Sequence, residues 1–247
     1  MAAVVSFRWQ KCLTIRITRF RWSLGRQPAA RLVARVLCVK SFEVQMNLAL
    51  FDFDGTITTR DTYTKFVFSS TKLARLVIGA CLLSPAIILH KARLLSAPKV
   101  RPLISRVAFM GVSEKQLDAS AERFVSGYLS SVIRSDMLQK IAEHKENGDH
   151  VVIVSASISP YLKIWCKRHE VDLICSELEV RNGRFTGAYL NGDCSNERKV
   201  ERIKERIDLS LYSEIFAYGD SEEDYPMLNL ANTSFYRGEL FEVASVD

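Results

Sequence analysis

The sequence is short of the features that announce many common chemistries. It has four histidines and six cysteines. There is no Cys-x-x-Cys pair and no cysteine–histidine set at zinc spacing, which argues against a structural zinc site and against a disulfide framework. Cys12, Cys38, Cys81, Cys166, Cys175 and Cys194 are therefore expected as free thiols in a reducing compartment. The histidines (His90, His144, His150, His169) are scattered and read as surface or core residues. No P-loop, no Gly-x-Gly-x-x-Gly, no internal repeat and no low-complexity tract occurs. The longest uncharged apolar run, Leu76 to Leu89, has 14 residues, too few to cross a bilayer as a helix.

Acids are almost missing from one region. Residues 1–45 hold nine Lys/Arg and one acid, Glu43, while the remainder holds 25 bases and 27 acids. The net charge of +6 is thus a property of an N-terminal extension and not of the body. Without a long apolar core, that extension is not a secretory signal. Its Arg-rich, acid-poor composition fits a transit peptide or an anionic-surface segment. The competing reading is a disordered segment without function, since Met46 stands directly before the first strand. Arg19-Phe20-Arg21-Trp22 is too little for a basic, aromatic-interleaved face, so no nucleic-acid partner is expected.

At 247 residues and 48% hydrophobic, the chain can bury a full core. Its organising stretch is Leu48-Ala-Leu-Phe-Asp52-Phe-Asp54-Gly-Thr-Ile-Thr58. An unbroken apolar run of this kind fits a strand buried on both faces of a parallel sheet. Ligand sites gather outside the carboxyl ends of such strands. Asp52 and Asp54, at i and i+2, would project to one side there, and their mutual repulsion calls for a cation between them. A plain Asp-Gly turn explains Asp54 and Gly55 but leaves Asp52 unpaired. An EF-hand loop would need glycine where Ile57 stands.

Two further apolar runs end in polar clusters. Val151-Val-Ile-Val154 runs into Ser155-Ala-Ser157, and Ile215-Phe-Ala-Tyr218 into Gly219-Asp220-Ser-Glu-Glu-Asp224. Helices are expected from Ser113 (a capping box with Gln116), around Asp136–Asn147, from Ser159-Pro160, and from Asn196. A hairpin turns at Asn182-Gly183. Strands alternating with helices give an α/β, Rossmann-like parallel sheet. Residues 46–58 and 133–247 would form this core, and 59–132 an all-helical insertion. Within the insertion, Leu73–Leu95 is strongly apolar, contains Pro85 and is flanked by Arg75, Lys91 and Arg93. It reads either as a buried helical pair kinked at Pro85 or as an interfacial helix dipping into an anionic membrane.

Asp-x-Asp-Gly-Thr after one strand, serine after a second, a lysine, and Gly-Asp-x-x-x-Asp after a third resemble the four motifs of the haloacid dehalogenase superfamily. The insertion after the first motif resembles the cap of its phosphoserine-phosphatase-like subfamily. The resemblance covers about residues 47–236 and implies a Mg²⁺-dependent phosphatase. It makes Asp52 the nucleophile and Asp54 the general acid and base. It makes Gly55, Thr56, Ser155, Ala156 and Lys199 the phosphate-binding groups. The Mg²⁺ ligands would be Asp52, Asp54 (through its backbone carbonyl), Asp220 and Asp224. Arg198 and Lys204 rival Lys199, and Ser155 has the alternative of a plain turn serine.

By the same resemblance Asp61, nine residues after the nucleophile, sets substrate specificity, where phosphoserine phosphatases usually carry glutamate. Gly55 stands where many of them carry serine. The apolar cap with its basic flanks resembles phosphatidylglycerophosphate phosphatases of the same subfamily. A lipid phosphate is therefore the expected substrate, with the protein cytoplasmic and peripheral on the membrane through residues 73–95. The alternatives are a soluble phosphatase for phosphoserine or another small metabolite, and a non-catalytic module that binds a phosphorylated ligand.

Overall fold

The computed structural model describes residues 46–241; the expectations for residues 1–45 lie outside them. The apolar run Leu48–Phe51 is strand β1, with all four residues buried. It is flanked by β2 (His150–Ile158) on one side and β6 (Ile215–Gly219) on the other. β3 (Asp172–Ser176) lies outside β2, and β7 (Thr233–Tyr236) and β8 (Glu239–Leu240) lie outside β6, in the order β3-β2-β1-β6-β7-β8. All pairings are parallel except β7 with β8. Side-chain alternation divides β1 between two cores. Ala49 and Phe51 join Ile153, Tyr161 and Trp165 on one face; Leu48 and Leu50 join Val152, Ala217, Ile203 and Met227 on the other.

Register then decides where the polar residues meet. Phe51 sits opposite Ile153 and opposite Tyr218, so Asp52, Ser155 and Asp220 arrive at one sheet edge. β2 is longer than the expected strand Val151–Val154, because Ser155–Ile158 still follow extended backbone.

Between β1 and β2 the chain is helical: α1 (Thr62–Ser70), α2 (Leu73–Lys91), α3 (Ala97–Phe109) and α4 (Glu114–Phe124). A π-turn at Val125–Leu129 leads from α4 into a last turn at Ser130–Val132. The segment leaves and returns at adjacent positions. Thr59 N–H donates to the Val132 carbonyl and Arg134 N–H to that of Ile57, both at 2.8 Å. Helix α5 (Ser135–Glu146) follows. Ser113 accepts from Gln116 N–H at 3.3 Å as the cap of α4.

The apolar stretch differs from the buried, kinked pair. α2 is a single helix running through Pro85, and only Gly79 of it is buried. Proline removes one helical donor, but the Ser84 hydroxyl takes over the carbonyl of Cys81, the acceptor that Pro85 would have used, at 2.9 Å. Leu73, Leu82 and Ile88 are 76%, 67% and 64% exposed. The helix approaches α3 closely at Gly79, where a Cβ would lie 2.9 Å from Cγ1 of Val107.

The hairpin β4 (Leu178–Arg181) and β5 (Arg184–Tyr189) falls within the expected core region 133–247, yet it also joins the helical segment. Gly111 N–H donates to the Phe185 carbonyl at 2.8 Å, and Phe185 N–H to that of Val112 at 2.9 Å. Between β3 and α6 (Ser159–His169) on one side and α7 (Glu197–Arg206) on the other, this hairpin links the two regions. Helix α8 (Tyr225–Leu230) completes the described chain before β7. Among the described residues Cys81, Cys166, Cys175 and Cys194 are free thiols.

Candidate active site

β1 releases the chain into the tight turn Asp52–Thr58. Asp52 N–H remains tied to the Tyr218 carbonyl at 2.9 Å, which holds the buried Asp52 against the end of β6. Gly55 turns with φ +87°, and a Cβ there would lie 2.1 Å from Oδ2 of Asp220. Glycine is thus required twice over, for the backbone angle and for the approach of that carboxylate. Thr56 Oγ1 donates to Asp220 Oδ1 at 3.4 Å.

Asp52, Asp220 and Asp224 each direct a carboxylate oxygen into a cluster whose members lie within 4.8 Å of one another. Lys199, in the first turn of α7 and 1% exposed, donates to Asp52 Oδ1 at 2.5 Å and to Asp224 Oδ1 at 2.6 Å. Burial alone would lower its pKa, but the charges of Asp224 and Asp52 outweigh that and hold it above the ordinary lysine value. Burial, aided by the charge of Asp224, pushes Asp52 well up against the opposing pull of Lys199. Burial and Asp224 likewise raise Asp220. Asp224 itself is pulled down: Lys199 and the Ser221 donors overcome its burial. Its Oδ2 accepts from Asp220 N–H, Ser221 N–H and the Ser221 hydroxyl at 3.2, 3.0 and 2.9 Å. With both oxygens engaged, Asp224 orients Lys199 and the Asp220 turn.

An all-oxygen donor set with two carboxylates held in raised-pKa surroundings fits a hard divalent cation such as Mg²⁺. The side chain of Asp54 lies outside this cluster. It accepts from Thr62 N–H at 2.7 Å and from the hydroxyls of Thr62 and Ser157. Burial raises its pKa to about 6 despite those hydrogen bonds. It is therefore a carboxyl poised to give and take a proton near neutrality.

Ser155 is buried beside Asp52 and accepts from Ser157 N–H at 3.1 Å. Ser155, Ala156 and Ser157 line a cavity of about 400 Å³ with Asp52, Asp54 and Lys199. Arg198 and Lys204, the rival cations, do not line it: Arg198 pairs with Glu201 at 2.5 Å and Lys204 is exposed. Asp61 does line it, but it also caps α1, accepting from Thr64 N–H at 3.1 Å.

Sequence reasoning missed Thr62, Ser157 and Arg101. The spacing of Ser155 and Ser157, two apart on a strand, was the available signal for the second serine. Arg101 carries no motif. It projects from α3 onto the cavity wall, forking onto Asp193 (Nε–Oδ2 2.8 Å, Nη2–Oδ1 3.0 Å) and reaching Glu223 at 2.8 Å. Asp193 and Glu223 lie on loops of the sheet region, so this fork ties the helices to it across the cavity.

The family model of haloacid dehalogenase-like hydrolases matches residues 49–229, from β1 to α8, including the inserted helices. The chain belongs to the haloacid dehalogenase-like hydrolase family. Protein CicA of Caulobacter vibrioides is 28% identical over 198 residues, 77% of this chain and 85% of that protein. A crystal structure of a Bordetella pertussis protein of unknown function superposes with TM-score 0.66 at 22% identity, covering 78% of this chain and 90% of that one. A probable phosphoserine phosphatase from Vibrio cholerae has TM-score 0.60 at 16% identity, covering 78% and 56%. At these identities the two structures speak for the fold of this hydrolase.

Proposed function

We propose that this hydrolase is a Mg²⁺-dependent phosphomonoesterase working through an aspartyl-phosphate, with a lipid phosphate such as phosphatidylglycerophosphate as substrate. One observation carries the chemistry: a lysine clamps one oxygen of Asp52 while a separate Asp54, its pKa raised to about 6, faces the same cavity. Among the described residues, Oδ2 of Asp52 accepts no hydrogen bond, which leaves it to attack phosphorus. As the new O–P bond forms, the ester P–O bond breaks and Asp54 protonates the departing alcohol. Asp54 then takes a proton from the water that cleaves the aspartyl-phosphate, regenerating Asp52 and releasing phosphate.

An ammonium has three donors, of which Lys199 uses two, so one remains for a phosphoryl oxygen. Ser155 and Ala156, which line the cavity, supply others; Gly55 and Thr56 do not line it and stand instead beside Asp220. When bound, Mg²⁺ supplies the charge that offsets a phosphate dianion against the attacking carboxylate. Asp52, the Asp54 carbonyl and Asp220 would hold it, with Asp224 behind them. Residues 59–132 serve in this reading as a cap over the cavity.

The lipid part rests on α2, whose apolar residues face outward with Arg75, Lys91 and Arg93 at its ends. It also implies a protein peripheral on the cytoplasmic face of a membrane. Asp61 on the cavity wall supports a second reading, a soluble phosphatase for a small amino-bearing ester such as phosphoserine. Turnover of phosphatidylglycerophosphate in mixed micelles against phosphoserine, with and without EDTA, separates them. Preference for phosphoserine removes the lipid, and an Asp52→Asn protein that still releases phosphate removes the mechanism.

A further inference from the structure

Beside the catalytic cavity lies a second one of about 510 Å³, bounded by α1, α2 and α3. Its walls are mostly apolar: Val67, Leu76, Leu83, Ile87 and Val107 face it, and Arg75 and Lys91 also line it. Gly79, which also lines it, lets α2 approach α3 closely there, since a Cβ would lie 2.9 Å from Cγ1 of Val107. The two cavities adjoin. Tyr63, Thr64, His90, Val100 and Ile104 line both. That shared wall is anchored, since the Tyr63 hydroxyl donates to the Arg101 carbonyl at 2.8 Å and lies 3.0 Å from Ser105 Oγ.

We propose that this groove is the binding site for one acyl chain of a lipid phosphate monoester whose phosphate lies in the catalytic cavity. The proposal rests on the phosphomonoesterase reading and deepens it by naming how the apolar part of the substrate is recognised. Three features choose the occupant. The groove shares lining residues with the cavity that holds the carboxylates and Lys199, so a ligand reaching both must be amphipathic. Its wall on α2 runs from Leu76 to Ile87, about 17 Å at 1.5 Å per residue, which suits one extended chain. The charged residues in its lining, Arg75 and Lys91, are cationic, which suits a substrate drawn from an anionic surface. The exposed outer face of α2 would meet the membrane while its inner face takes the chain, so a lipid enters without leaving an apolar path.

The test uses the full-length protein with Mg²⁺ and the n-alkyl monophosphates from ethyl to dodecyl, each below its critical micelle concentration. With no interface present, membrane docking does not contribute. kcat/KM should rise two- to fourfold per added methylene until the groove is filled, and Leu83→Trp should bring the plateau to a shorter chain. Because that variant can fail to fold, a dodecyl phosphate with a terminal diazirine is also photolysed on the Asp52→Asn protein and the labelled peptide mapped. Labelling within residues 67–108 supports the groove; labelling confined to other peptides overturns it. A flat chain-length series overturns the groove while leaving the phosphatase standing. Labelling of the groove with no hydrolysis of any ester upholds the groove and overturns the phosphatase.

Discussion

Asp54 is the residue whose environment makes the sharpest demands. Its carboxyl is raised from the ordinary 3.8 to about 6, mainly by burial. For an alkyl phosphate the leaving group needs a proton, so kcat/KM should fall as pH rises through about 6. p-Nitrophenyl phosphate leaves without one and should show no such fall; identical pH profiles for the two esters would remove Asp54 as the acid. The same shift has a stability sign. A folded value above the unfolded one means that the neutral form is favoured by the fold. That contribution is complete below about pH 3.8 and is lost as pH rises through about 6, amounting to on the order of 3 kcal/mol. Asp54→Asn cannot ionise, so its stability in urea should gain on the wild type by about that much between pH 4 and pH 7. Gly55 is the second such residue. A Cβ there would enter the space of the Asp220 carboxylate, so Gly55→Ala should weaken the Mg²⁺ dependence of activity by about 10- to 100-fold. An unchanged Mg²⁺ titration would show that Asp220 is not a ligand.

At the scale of elements, α2 carries two different faces. Each fully buried leucine or isoleucine contributes about 1.5–3 kcal/mol. Leu82→Glu combined with Ile88→Glu, both on the exposed side, should therefore reduce flotation with anionic vesicles at least 10-fold. Flotation equal to wild type would mean that α2 does not touch lipid. The fork of Arg101 belongs to the same scale, because it joins α3 to the loops bearing Asp193 and Glu223. Arg101→Met leaves the buried Asp193 without its partner and should cost about 3 kcal/mol. Amide exchange in α2 and α3 should quicken while that of β1 holds. Uniform acceleration across the sheet would make Arg101 a part of the core and not a tie between regions.

At the scale of the whole molecule, periodicity and composition carried most of the architecture. The runs at Leu48, Val151 and Ile215 are apolar on both faces, which a chain can bury only as central parallel strands with helices on either side. The hairpin at Asn182-Gly183 followed from local turn chemistry. The state of Leu73–Leu95 did not follow, because hydrophobicity is the same for a core helix and an exposed one. Nor did the continuity of α2 through Pro85, which depends on one serine hydroxyl reaching one carbonyl.

The sequence by itself determined which residues could do chemistry, because carboxylates after buried strands have few other uses, and short-range spacing records them directly. Only the tertiary structure decided which of them meet. The Asp52–Lys199 and Asp54–Ser157 contacts span 147 and 103 residues, and the Arg101–Glu223 pair spans 122. Separations of that size leave no periodic trace in the chain. They are set by strand register and by the angle at which helices cross, both of which depend on packing across the whole domain.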